Sequence, residues 1–93
     1  MLTNTKVKIP EGVVFQPLAE ETVVLNMDSG LFFGLTPVAS RTWELLAAGH
    51  SPQEVHKTLL EEYDVDPVVL ENDLQELLRK LTEKGLLQLA DVA

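Results

Sequence analysis

Residues 22–46, TVVLNMDSGLFFGLTPVASRTWELL, decide the fold, because two apolar strands around a turn run directly into a capped amphipathic helix. The strands flank Asp28-Ser29-Gly30, where glycine supplies the left-handed conformation that a three-residue hairpin loop demands. With Met27 set opposite Leu31, Leu25 pairs with Phe33 and Val23 with Leu35, which puts six apolar side chains on one face. The other face then carries Val24, Asn26, Phe32 and Gly34. The second strand of such a hairpin keeps an unpaired outer edge. In a short domain an open edge is a place where a peptide can add as a further strand.

Upstream, Val13-Val14-Phe15 is β-branched and aromatic and reads with its flanks as a first strand, joined through Ala19-Glu20-Glu21 to the hairpin. The three strands form an antiparallel meander. Residues 1–12, with Lys6-Val7-Lys8-Ile9 ahead of Pro10-Glu11-Gly12, read as a flexible or edge N-terminal segment. The domain proper spans 13–89, and 90–93 is a tail.

Downstream of Leu35 the apolar period changes from two to 3.6, and one device punctuates the change three times: Thr36-Pro37, Ser51-Pro52 and Asp66-Pro67. Each pair supplies a side chain that can accept an orphan amide bond, followed by a proline that lacks the amide left unsatisfied there. Three helix starts follow, and Ser51 with Glu54 adds a capping box. The first helix places Ala39, Thr42, Trp43 and Leu46 on one stripe, with Val38 and Leu45 beside it, and stops at Ala48-Gly49. The second carries Val55, Leu59 and Tyr63, and the third Leu70, Leu74, Leu77, Leu78 and Leu81, with Gly85 as its C-terminal stop. Leu86-Leu87-Gln88-Leu89 then tucks back or adds a short strand. The expected fold class is α+β, with a three-stranded antiparallel sheet followed by three helices.

Ninety-three residues at 45% hydrophobic content fit one domain with one core, too small for an enclosed cleft between two domains. No cysteine is present, which removes disulfides, thiolate metal sites and cysteine nucleophiles together. Charged residues interrupt every helical segment, so no span for a bilayer and no membrane partner are expected, and the start of the chain shows no secretion signal. A cytoplasmic protein follows. Seven basic against fifteen acidic residues give a net charge of −8, which opposes a phosphate backbone and favours a basic partner surface.

No catalytic set stands out. His50 and His56 lack the further ligands that a metal needs, and Ser29, Ser40 and Ser51 have no paired base. The glycines at 30, 34 and 49 make no phosphate loop, so neither a metal nor another cofactor is called for. Gly34, inside a strand, marks either close approach by another backbone or a packing accommodation for Trp43. On the third helix Val69, Asp73, Glu76 and Lys80 lie on a flank beside the leucine stripe. That flank is either a solvated surface or one wall of a groove whose other wall is the hairpin edge. Phe32, pointing away from the apolar face, would be an unexplained exposed aromatic unless something covers it, another part of this chain being one candidate.

These residues resemble the PqqD-like family, the recognition elements of ribosomally made, post-translationally modified peptides. The likeness rests on Leu25-Asn26-x-Asp28-x-Gly30, Phe32-Phe33, Leu35, Trp43-x-Leu45-Leu46, Gly49-x-Ser51, Tyr63-Asp64-Val65, Asp73 and Leu81-x-x-x-Gly85-Leu86-Leu87, and runs from about residue 13 to 89. Thr36 stands where the family has Asn, and either residue caps a helix. The resemblance implies a winged helix-turn-helix, and a non-catalytic protein that binds the leader segment of a precursor peptide. The leader would add antiparallel to the strand that carries Phe32 and pack on the third helix. Carried over residue by residue, the contacts would be Leu31, Phe32, Phe33 and Gly34 on the strand, and Val69, Leu70, Asp73, Leu74, Leu77 and Lys80 on the helix. In length the chain is similar to the stand-alone B1-type proteins of lasso-peptide pathways, which implies a leader peptidase as partner enzyme. A chaperone for a radical S-adenosylmethionine peptide-modifying enzyme is the alternative. A DNA-binding winged helix fits worse, because Glu71, Asp73 and Glu76 stand on the helix that would meet phosphates.

Overall fold

A computed structural model describes residues 7–89. The chain runs β1 (Val7–Lys8), β2 (Val13–Leu18), β3 (Glu21–Asn26), β4 (Phe32–Leu35), α1 (Pro37–Ala47), α2 (Pro52–Glu62), α3 (Pro67–Glu83) and β5 (Gln88–Leu89). Strands β2, β3 and β4 form the expected antiparallel meander, and the three helices follow it. A second ribbon pairs β1 with β5, so the segment before the meander joins the segment after α3. The first six positions of the N-terminal segment and the 90–93 tail lie outside the described residues.

The hairpin register differs by one residue from the sequence reading. Thr22 lies opposite Leu35, Val23 opposite Gly34, Val24 opposite Phe33 and Leu25 opposite Phe32. The cause is local. The Asn26 side-chain oxygen accepts the amides of Asp28 (2.9 Å) and Ser29 (3.2 Å), and the Gly30 amide donates to the Asn26 carbonyl (2.8 Å). These bonds draw Met27 into the loop, and the Asn26 amide closes it on the Leu31 carbonyl at 2.8 Å. A slip of one residue turns every side chain of a strand over. Val24 is therefore wholly buried, while Val23 and Leu25 face the other way and stay half-exposed; Phe33 and Leu35 keep the inward orientation expected of them.

Opposite partners share a face, so the inner face of the sheet carries Phe15, Val24 and Phe33 in one row and Thr22 with Leu35 in the next. Against it pack Trp43, Leu45 and Leu46 of α1, Val55 and Leu59 of α2, Leu70, Leu74 and Leu81 of α3, and Leu86 and Leu87. Trp43 is buried and meets Phe15 edge-on at 5.6 Å. Tyr63, expected on the buried stripe of α2, is exposed, because α2 ends at Glu62 and the backbone at Tyr63 is already extended. The molecule measures 37 × 36 × 20 Å, a plate two layers thick, so nothing in the described chain covers the far face of the sheet. Val14, Leu25 and Phe32 line up across that face, and Phe32 is 73% exposed.

The helix starts fall at Pro37, Pro52 and Pro67 as the caps require. Ser51 and Glu54 form the reciprocal capping box, and Asp66 accepts the amides of Val68 (2.8 Å) and Val69 (3.1 Å). Thr36 departs from expectation: its side chain makes no cap bond. Instead the end of β4 is hooked onto α1 by the Ser40 amide on the Thr36 carbonyl (2.7 Å) and the Ser40 hydroxyl on the Leu35 carbonyl (3.2 Å). Helix α3 closes on Gly85, which takes a φ of +74°, with the Leu86 amide reaching back to the Leu81 carbonyl at 2.9 Å.

Candidate functional site: an open strand edge beside the third helix

In an antiparallel ladder each residue directs its amide and carbonyl to one side only. The Asn26 to Leu31 bond and the Met27 to Gly12 bond fix the phase. Thr22, Val24 and Asn26 bond toward β4, whereas Val23, Leu25 and Met27 bond toward β2. On β4 the groups of Phe33 and Leu35 are thus spent on β3, and those of Phe32 and Gly34 point outward. The opposite edge of the sheet is blunted. There the outward positions are Val13, Phe15 and Pro17; the Val13 amide is taken by the Pro10 carbonyl at 3.0 Å, and Pro17 has no amide to offer. The edge at β4 is the one that can accept a further strand.

Helix α3 runs beside this edge and is fixed at both ends. His56 Nε2 lies 2.9 Å from the Pro67 carbonyl at its start, and the Asn26 side-chain amide donates to the Gly85 carbonyl (3.2 Å) just past its end. Between the anchors, Leu70 and Leu74 are buried, Leu77 is half-buried, and Val69, Asp73, Glu76 and Lys80 form an exposed row at spacings of four, three and four.

A groove opens between that row and β4 in two connected parts. One, of about 230 Å³, is bounded by Phe33, Gly34, Leu35, Thr36, Ala39, Asp73, Glu76, Leu77 and Lys80. The other, of about 240 Å³, is bounded by Thr36, Val38, Ala39, Thr42, Leu70, Asp73, Leu74 and Leu77. Each is smaller than a usual small-molecule pocket of roughly 300–1,000 Å³. Each suits one or two side chains of an extended peptide.

Of the ten residues expected at the site, Phe33, Gly34, Leu70, Asp73, Leu74, Leu77 and Lys80 bound this groove together. Leu31, Phe32 and Val69 do not. Leu31 is exposed where the loop enters β4, Phe32 turns its ring to the far face of the sheet, and Val69 stands on the helix one turn before Asp73. Sequence reasoning missed the start of α1, where Thr36, Val38, Ala39 and Thr42 floor the groove. The signal was present: Val38 stands beside the stripe and stays exposed, one helical turn before Thr42, which belongs to the stripe and is buried. A Cβ added to Gly34 would meet nothing within 4 Å, so glycine there is no accommodation to Trp43.

The charges around the groove are unequal in their engagements. Glu76 is held by both ends of the Arg79 guanidinium, and Arg79 also reaches Glu83 at 2.7 Å. These hydrogen bonds keep the Glu76 carboxyl below the usual range against an opposing desolvation, with the fields of Arg79 and Lys80 adding to the effect. The side chains of Asp73 and Lys80 make no hydrogen bond or close ion pair among the described residues. Lys84, beyond them, holds its ammonium 5.7 Å from the centre of the Phe33 ring.

A meander followed by three helices, with one blunted edge and one edge left open beside α3, defines a small winged-helix domain that presents a sheet edge. The chain belongs to the PqqD family: residues 21–87 match the family described as Coenzyme PQQ synthesis protein D. Two solved structures share the fold closely. One is described as TbiB1 in complex with the TbiA(beta) leader peptide; it is 40% identical, with a TM-score of 0.83 over 92% of this chain and 98% of that one. The other is a lasso peptide synthetase B1 complexed with the leader peptide, 27% identical, with a TM-score of 0.80 over 88% of this chain and 96% of that one. No curated protein matches the chain in sequence.

Proposed function

We propose that this protein captures the leader segment of a ribosomally synthesised precursor peptide by strand addition to β4, and presents it to a separate processing enzyme of a lasso-peptide pathway. The observation that carries the reading is the outward pair of backbone groups at Phe32 and Gly34, facing a groove sized for peptide side chains. Likeness to two B1 proteins described with leader peptides supports it. Backbone bonding at the edge supplies affinity with little regard to sequence. The apolar cups between Phe33, Leu70, Leu74 and Leu77 select the side chains, with Asp73 and Lys80 on the rim. Leu31 and Val69 stand outside the groove as exposed side chains, and Phe32 contributes its backbone.

The protein performs no chemistry of its own in this reading. The groove is walled mainly by Phe, Leu, Ala and Val, which grip side chains, and its polar groups, Thr36, Thr42, Asp73, Glu76 and Lys80, pair no nucleophile with a base. A leader peptidase is the partner enzyme the reading favours; service to a radical S-adenosylmethionine enzyme is the second, since the family description concerns coenzyme PQQ synthesis. The test is a fluorescence-anisotropy titration with labelled candidate leader peptides, run in parallel with random duplex DNA at physiological salt. Saturable leader binding without DNA binding is expected. Micromolar DNA binding with no response to the leader would overturn the assignment.

A further inference from the structure

We infer that the groove reads the order of charge along the leader: a lysine or arginine facing Asp73 comes first, and an aspartate or glutamate facing Lys80 follows two to four residues later. This deepens the leader-binding reading and rests on it. Asp73 and Lys80 are both exposed on the groove-side row of α3 and lack close partners among the described residues, while Glu76 between them is already occupied by Arg79. Each rim charge therefore remains available to a ligand, and the two are of opposite sign.

Geometry converts this pair into an order. Seven residues of helix separate Asp73 from Lys80, about 10.5 Å at a rise of 1.5 Å per residue. An added strand advances about 3.3 Å per residue and sends alternate side chains to one face, so residues two or four apart span about 7–13 Å on the groove side. Strand β4 runs from Phe33, which shares its part of the groove with Lys80, toward Thr36, which reaches the part with Leu70 and Leu74. A leader antiparallel to β4 passes the Asp73 end first and the Lys80 end last. Lys84 over Phe33 adds positive charge at the exit, on a protein whose net charge is −8. Desolvation of the rim by a bound strand strengthens both pairs relative to their value in open solvent.

The experiment uses a displayed library of random dodecapeptides selected against the full chain, the double variant Asp73→Lys with Lys80→Glu, and Gly34→Pro. Folding of each is checked by the fluorescence of Trp43. The wild type should enrich peptides with a cation ahead of an anion at the stated spacing, and the double variant should enrich the reverse order. Synthesised winners should lose about three- to tenfold in affinity when their two charges are exchanged, and less at high salt. The same enrichment for wild type and double variant, or a reversed order for wild type, overturns the charge reading while leaving edge binding intact. Enrichment unaffected by Gly34→Pro, or none with the wild type, overturns the edge-binding reading beneath it. If the double variant fails to fold, Asp73→Asn and Lys80→Gln separately must each abolish the preference at one position, and unchanged preferences in both refute the inference.

Discussion

Replacing Gly34 by proline separates the two jobs of β4, pairing with β3 and pairing with a ligand. Gly34 sits opposite Val23 in a pair that exchanges no hydrogen bonds, so its amide points out of the sheet. Proline deletes that amide and leaves the bonds of Phe33 and Leu35 to β3 untouched. The residue before it, Phe33, is already extended, as a residue preceding proline must be. The free protein should therefore lose no more than about 1–2 kcal/mol, as for an edge position where proline is tolerated. Binding loses one strand-to-strand hydrogen bond, worth about 1 kcal/mol net, and leaves a leader carbonyl without a donor at a further cost of about 1–3 kcal/mol. A total of about 2–4 kcal/mol corresponds to roughly 30- to 900-fold in Kd. Anisotropy with the labelled leader measures the affinity, and urea unfolding followed by Trp43 measures the stability. Gly34→Ala is the control: its Cβ enters empty space and the amide is kept, so both quantities should stay near wild type. A folded Gly34→Pro protein that binds the leader as tightly as wild type would refute the docking edge.

Further outcomes follow from single contacts. Asn26→Ala removes two loop bonds and the tie to Gly85, and should cost about 2 kcal/mol in urea unfolding; Asn26→Asp keeps the acceptor and should cost less. Asp66→Ala should cost about 1 kcal/mol, whereas Thr36→Ala, with no cap bond to lose, should cost close to nothing by the same measurement; equal losses would contradict the cap geometry. Hydrogen bonds from Arg41, at 3.0 and 2.8 Å, hold the exposed Glu62 carboxyl below the usual range, against a smaller desolvation. Because the folded value is the depressed one, this pair supports folding above the ordinary glutamate range and ceases to do so as pH falls through Glu62's own value. An NMR titration should show the Glu62 midpoint rising in Arg41→Gln, and an unmoved midpoint would contradict the pairing.

Features set by neighbours close along the chain could be read directly from the residues. The starts of α1, α2 and α3 were legible because a capping position and a following proline act within one turn of backbone, and the core stripe of α3 because 3.6-residue spacing is set by the helix alone. Even within this range Thr36 shows that a residue able to cap need not do so once Ser40 secures the same turn. The hairpin was legible as a hairpin, and its register was not: a single side chain, Asn26, captured two amides, enlarged the loop and exchanged Val23 and Leu25 for Val24 in the core. The candidate site was named largely through the family resemblance, and its geometry came only from the tertiary structure. Packing brings Gly34 alongside Asp73 and Leu77, floors the gap with α1, and spends one sheet edge on Pro17 while leaving the other open. Such juxtapositions depend on how the sheet and the helices close around Trp43 and Val24, and no local period encodes them.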